Sequence, residues 1–422
     1  MNFNALARRW PILSRTAGMQ QGLLLVTAVT FAYGLDYLFN LASGRLLEPA
    51  EFGILIALSG VGQVLVVASR VIQTVVTRYV SRFQAADEEA GRTVSFFRAM
   101  FRAAWFWGAL ATATAVLLSF PLARFLRIEA MGPVLALAVT TLLMVVRPVV
   151  GGALQGVQRF GALGAVQVIQ AALRLALGVA LMWLGWGALG AMASLPAASL
   201  AALLFGWLVL QRALFAVTPR PHQVSLPEMF RYSTVTAAGL ISFALLINMD
   251  AILVRHYFDP VTAGHYSAAV TLGKVIQFFP VAVIMVLFPK AARRHAGKRD
   301  TGQVLLPAML AVAVFCGAIA LVYLLFGGAI VRLTLGSAYR VDGRLLGWVG
   351  GAMLTLSLAN IWLNFFLSTE RPRFVALILA GIVVQWGLMA RFHQALWQLP
   401  AAMLLNGLWL TAAGGFMFRR RR

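Results

Sequence analysis

Six ionisable residues stand inside the long apolar runs of this chain: Asp36, Arg70, Arg147, Arg174, Asp250 and Lys274. Away from their ends, those runs hold no others of the 13 acidic and 35 basic residues. A charge at the centre of a helix in hydrocarbon costs about 2.5 to 3.5 kcal/mol on insertion scales, so each needs a partner or a task. Lysine and arginine hold anions, phosphate oxygens above all, through charge-assisted hydrogen bonds. An aspartate so placed carries a coupling proton or cation, or neutralises a neighbouring arginine. Four cations against two carboxylates make Lys274, Arg70, Arg174 and Arg147 the binding candidates. Asp36 and Asp250 are the candidates for ion coupling or charge pairing. Each has a plainer reading. Arg70 and Arg147 stand near helix ends and can snorkel to headgroups, Arg147 directly before Pro148. Lys274 and Arg174 lie too deep for that, and ion pairs with Asp250 or Asp36 would satisfy them.

Helical spacing groups these charges with other polar residues. In the second apolar run Ser59, Gln63, Arg70, Thr74 and Thr77 form one stripe, and in the eighth Ser267, Thr271, Lys274 and Gln277 do the same. In the first run Tyr33, Asp36, Asn40 and Ser43 share a face. Asn248 and Asp250 are about 200° apart around their helix and cannot both face one cavity; Asp250 is taken as the inward one. Asn40, Gln63 and Gln277 join the charges as polar cavity candidates. Pro148, Pro196 and Pro280, inside apolar runs, are candidate hinges.

The elements that position these residues must be membrane helices. A chain of 422 residues, 61% hydrophobic and 11% charged, cannot bury that much apolar surface in one water-soluble core. Runs of roughly 20 apolar residues number twelve. They cover about 21–44, 52–76, 103–121, 131–154, 161–184, 187–210, 233–255, 262–288, 304–328, 343–367, 374–391 and 396–418. The division within 161–210 rests on Gly185-Trp186-Gly187 alone. The first run is too long for a signal-peptide core, so Arg8, Arg9 and Arg15 before it mark a retained first helix with a cytoplasmic amino terminus.

Twelve passes also sort the basic residues. With both termini inside, cytoplasmic segments collect 23 Lys and Arg and exported loops 8, Arg45 and Arg255 among the latter. The formal net charge of +22 thus faces cytoplasmic-leaflet phospholipid, and no nucleic acid partner is expected. The five histidines, at loops and helix ends, lack metal-ligand spacing, and Cys316 stands alone. Neither a Walker A loop nor Gly-x-Ser-x-Gly nor HExxH occurs, so hydrolytic chemistry has no visible seat and no cofactor is expected beyond a coupling proton or sodium ion.

The halves repeat. EPAEFGILIALSGVGQV (48–64) matches DPVTAGHYSAAVTLGKV (259–275) at the acid, the proline, Gly53 with Gly264, Ala57 with Ala268, Gly62 with Gly273 and Val64 with Val275, 211 positions apart. Six helices per half give both the same orientation, the parallel-repeat plan of some secondary transporters. The chain is therefore expected to be all-α, a polytopic membrane protein of two six-helix bundles, 1–210 and 233–422. The polar, Pro-rich 211–232 would be the cytoplasmic connector.

Four stretches, GRLLEPAEFGILIAL (44–58), LQGVQRFGALGAVQVIQAALRLALG (154–178), NMDAILVRHYFDPVTAGHYSAAVTLGKVIQFFPVAVIMVLFP (248–289) and NFFLSTERPR (364–373), resemble the polysaccharide or oligosaccharide-lipid flippases of bacteria. That family belongs to the multidrug/oligosaccharidyl-lipid/polysaccharide (MOP) exporter superfamily. The resemblance implies two bundles in a V around a cavity that opens alternately to either side of the cytoplasmic membrane, walled by the first, second, seventh and eighth helices. It implies a polyprenyl-pyrophosphate-linked oligosaccharide moved from the inner to the outer leaflet for O-antigen or exopolysaccharide synthesis, with membrane lipids and polysaccharide assembly proteins as partners. A multidrug or cation antiporter of the same superfamily would want acidic residues facing its substrate. A membrane glycosyltransferase, polymerase or ligase would want acid–base residues on a sizeable exported loop, which this chain lacks.

Overall fold

The structure is a computed structural model that describes residues 15–85, 90–214, 234–297, 300–339, 341–369 and 373–419. Arg8, Arg9, the last three arginines and all but the first four residues of the expected connector lie outside them. Its helices are α1 (Arg15–Leu46), α2 (Pro49–Ala85), α3 (Ala90–Phe125), α4 (Met131–Gly156), α5 (Phe160–Leu181), α6 (Gly187–Leu214), α7 (Thr234–Tyr257), α8 (Pro260–Gly273), α9 (Phe278–Ala296), α10 (Gly302–Leu335), α11 (Gly343–Ser368), α12 (Arg373–Arg391) and α13 (Gln398–Arg419). Among the described residues, 11 helical segments are long and apolar enough to cross a membrane. One of them, Phe160–Gln211, has 52 residues. At 1.5 Å per residue it would be roughly 78 Å long, far beyond a hydrocarbon layer of about 30 Å. It is two passes. The wide turn Met182–Trp186 puts Gly185 at φ 86° and Gly187 at φ 52°, left-handed backbone that glycine adopts freely, and α5 packs back along α6. Twelve passes result among the described residues, and this is a multi-pass membrane protein.

Two boundaries differ from expectation. α2 and α3 run on to Ala85 and back to Ala90, so Arg78, Arg82, Arg92, Arg98 and Arg102 ride on helical extensions instead of loops. The extensions are amphipathic: Val80 and Phe83 of α2 pack with Phe96, Phe97 and Met100 of α3 while Arg82 and Arg98 stay exposed. Hydropathy alone ends a span where charges start, whereas the helix continues as long as one face is buried.

The eighth pass is broken. Lys274–Gln277 form one 3-10 turn between α8 and α9. Pro280 has no N–H to donate to the Ile276 carbonyl. That carbonyl accepts instead from Cys316 Sγ at 3.6 Å, and the Leu272 carbonyl accepts from Tyr323 Oη at 2.8 Å. Pro148 and Pro196 lie within continuous helices.

In the first half α4 is central, packed on α2, α3 and α6; in the second, α11 packs on α9, α10 and α13. The seam between halves is α2 against α7 and α8. Along it Phe52, Leu55, Ala57 and Leu58 are buried, whereas Gln63, Leu65, Arg70 and Thr74 further down α2 are exposed. α8 and α9 change in step, from a buried stretch 263–273 to exposed Phe278, Met285 and Val286. The halves are pressed together where α2 and α8 begin and part toward the ends of α2 and α9.

Candidate functional site

α1 and α5 build the first charge cluster. Asp36 and Phe39, one turn apart on α1, face Arg174 and Gly178, one turn apart on α5. Arg174 Nη1 donates to Asp36 Oδ1 at 3.0 Å, and its guanidinium lies 4.3 Å from the Phe39 ring centroid. The ring packs directly on Gly178, where any side chain would displace it. The pair is open to solvent on one side, Arg174 15% and Asp36 40% exposed. From α4, Arg147 lies within electrostatic range of Asp36 and of Arg70 on α2. Arg174 and Arg147 thus share one carboxylate, and Arg70 borders the cluster through Arg147. Arg147 Nη1 and Arg174 Nε are buried without a hydrogen-bond partner. Arg70 is exposed where α2 leaves the seam. Arg147 turns inward to this cluster instead of snorkelling, because α4 is the buried centre of its bundle.

The second cluster surrounds the break in the eighth pass. Lys274 Nζ donates to Asn248 Oδ1 at 2.8 Å, and Lys274 interacts electrostatically with Asp250. Asp250 does not face a cavity: it is 0% exposed, accepts from Tyr266 Oη at 3.0 Å through Oδ2, and leaves Oδ1 without a partner. Asn248 is the residue that meets the lysine, close against Gly60 of α2. The two residues diverge around the helix as spacing requires, but with the roles exchanged. Tyr266 of α8, eight residues before Lys274, carried no charge to mark it in the sequence.

Several stripe residues are not wet. Ser267 and Thr271 are buried and return their hydroxyls to the carbonyls of Ala263 and Ser267. Gln277 donates to Met353 O at 3.3 Å and braces the 3-10 turn on α11. Thr77 donates to Gln73 O of its own helix at 2.8 Å, with Gly152 O of α4 at 3.2 Å. In each case a nearer acceptor claims the group. Asn40 donates to Asp36 O in its own helix, and Gln63 is exposed on α2. Aromatic contacts tie the two clusters together across the halves: Tyr33 and Tyr37, flanking Asp36 on α1, pack on Phe278 just past the break at 6.5 and 6.1 Å. A groove of about 790 Å³ lies apart from both, between α9 and α10, lined by Val286, Leu287, Lys290, Arg294, Gln303 and Pro307. Its Arg294 is engaged by Gln303 Oε1 and Asp300 O, and it contains none of the intramembrane charges.

Comparison with known proteins agrees with this architecture. Two uncharacterised proteins from two strains of Mycobacterium tuberculosis are each 27% identical over 214 residues, 50% of this chain and 48% of theirs. The chain therefore spans about half the length of the curated relatives it matches. Among solved structures, an inward-facing multidrug resistance MATE-family transporter of the MOP superfamily superposes with a TM-score of 0.75 at 15% identity, covering 92% of this chain and 94% of the other. An outward-facing structure gives 0.64 at 15% identity with 96% of each chain covered. A MOP superfamily transporter from Pyrococcus furiosus gives 0.58 at 14% identity, again over 96% of each. These likenesses establish the fold. The family model described as polysaccharide biosynthesis protein matches residues 19–295. With that match and a two-lobed fold like that of the MOP transporters, the chain belongs to the polysaccharide biosynthesis protein family.

Proposed function

We propose that this protein is a flippase that carries an anionic polyprenyl-pyrophosphate-linked oligosaccharide from the cytoplasmic to the outer leaflet by alternating access. The observation that carries the reading is the cluster in which Arg174 and Arg147 share the Asp36 carboxylate and Arg70 lies in electrostatic range of Arg147, with two buried guanidinium nitrogens that find no acceptor among the described residues. Three positive charges and one negative leave an excess of about two, and a pyrophosphate diester carries about two negative charges. Lys274 would add a further donor from the opposite half, held by Asn248. A cationic drug would meet guanidiniums here, which speaks against an exporter of such compounds. The isoprenoid tail stays in the bilayer while the headgroup crosses between the halves. A negative interior helps, because driving two negative charges outward across 100 mV releases about 4 to 5 kcal/mol. A coupling proton or sodium ion, if used, would act at Asp36, the carboxylate that faces the cluster and is 40% exposed.

The test is transport in proteoliposomes. Purified protein should move a fluorescent polyprenyl-pyrophosphate oligosaccharide between leaflets, and the same lipid carrying an uncharged linkage in place of the pyrophosphate should remain where it was put. Equal movement of both would refute the anion-capture reading.

A further inference from the structure

At the end of the molecule where the halves are pressed together, each half reaches into the other with one arginine. Arg45, in the last turn of α1, donates from Nε to Thr334 O and from Nη2 to Leu333 O, both at 2.8 Å. Those carbonyls belong to the last turn of α10, the third pass of the second half. Arg255, in the last turn of α7, donates from Nε to Leu126 O at 3.1 Å and from Nη2 to Arg127 O at 3.3 Å, just past the end of α3, the third pass of the first half. Its Nη1 donates to Pro260 O at 3.2 Å. The two contacts join corresponding elements, first helix of one half onto the third-helix terminus of the other and the converse, although at the 211-residue offset Arg45 falls on His256, the neighbour of Arg255.

The chemistry suits a fastening that can be undone. The last carbonyls of a helix have no partner within it and carry the negative end of its dipole, so a guanidinium is their natural cap. Both termini end at left-handed residues, Arg127 at φ 51° and Gly336 at φ 98°. Arg255 is 3% exposed, whereas Arg45 is exposed. His256 stacks on Phe125 at 4.2 Å and donates from Nδ1 to Phe125 O at 2.9 Å; Tyr339 donates to Leu47 O at 3.4 Å. A carbonyl can only accept, which puts the His256 proton on Nδ1. The freed groups on both sides would be rehydrated if this end opened, so the cost of release is modest beside that of a buried ion pair.

We propose that Arg45 and Arg255 are a reciprocal pair of latches that hold this end of the seam shut, and that both release when the carrier opens there. The inference rests on the alternating-access reading, but not on what is carried. Its readout is accessibility, so failure of the substrate assignment leaves it standing.

The experiment compares two reporters on α2 in Cys316→Ser protein in nanodiscs, each labelled with a bulky water-soluble maleimide. Ala57→Cys lies under the closed end and is buried; Thr74→Cys lies on the exposed stretch. Arg45→Ala and Arg255→Ala should each raise labelling at Ala57→Cys about tenfold, the double variant more, while labelling at Thr74→Cys falls as the other end closes. Labelling at Ala57→Cys unchanged in both single variants would overturn the proposal. So would a parallel rise at Ala57→Cys and Thr74→Cys, which marks general loosening. If Arg255→Ala protein does not accumulate, Arg45→Ala, at the exposed latch, decides the case alone.

Discussion

Gly53 of α2 and Gly264 of α8, the repeat-related glycines 211 positions apart, pack backbone against backbone at the seam. A Cβ on Gly53 would stand 3.2 Å from Gly264 N; one on Gly264 would overlap the Pro49 carbonyl. The matching positions of the two halves thus touch each other where the bundles meet. Gly264→Ala should lower the unfolding temperature in detergent, by an amount equivalent to about 1 to 3 kcal/mol of overpacking, and Gly53→Ala by less. Gly387→Ala, where nothing lies within 4 Å of the added carbon, serves as the comparison and should be neutral or slightly stabilising.

The twin bundles, the repeat and the twelve passes could be read from hydropathy and spacing because a lipid solvent leaves a helix one way to satisfy its backbone. The paired glycines were legible as a repeat but not as a contact, since two halves at equal heights in the membrane need not touch at equal positions. The inward turn of Arg147 was not legible, because the burial of α4 is set by its neighbours and not by its own sequence. Nor was the break at Lys274: Pro280 signalled it, yet Pro148 and Pro196 are the same residue type in unbroken helices. The partners Cys316 and Tyr323, which satisfy the opened carbonyls, come from another pass.

Lys274 stands at that break with Asn248 as its acceptor. Lys274→Ala should cut transport about tenfold or more, and Lys274→Arg should retain part of the rate because it keeps the charge. Asn248→Ala should fall between the two. Initial rates in proteoliposomes measure all three, and full activity in the alanine variant would remove Lys274 from the site.

Arg174 combines a carboxylate contact with a ring stacked beneath its guanidinium. Arg174→Lys retains charge but not the planar face, so it should lose most of the function that Arg174→Ala loses, unlike the lysine–arginine exchange at Lys274. Phe39→Leu in the wild-type background should show part of the same loss. Equal activity of Arg174→Lys and wild type would show that charge alone matters there.

Asp259 caps α8, accepting from the Val261 and Thr262 amides at 3.1 and 3.0 Å. Hydrogen bonds from Thr262, then the Val261 amide, hold its carboxyl below the ordinary range. A depressed folded-state pKa means that the cap stabilises above the unfolded value of about 3.9 and is lost as pH falls through the folded one. Asp259→Ala should therefore cost about 0.5 to 1 kcal/mol at neutral pH, and the difference in unfolding temperature from the wild type should start to narrow only as pH falls below about 3.9, closing below the folded-state value. A gap that does not narrow at all as pH falls from about 4 to about 2 would contradict the assignment of the cap to the ionised form.

The most direct measurement of the central claim is the affinity of nanodisc-embedded protein for a polyprenyl-pyrophosphate oligosaccharide before and after Arg147→Gln, which keeps the side chain polar and removes one charge from the cluster around Asp36. The account predicts binding at least about tenfold weaker, with a shallower dependence on salt. Unchanged affinity and salt dependence would contradict it.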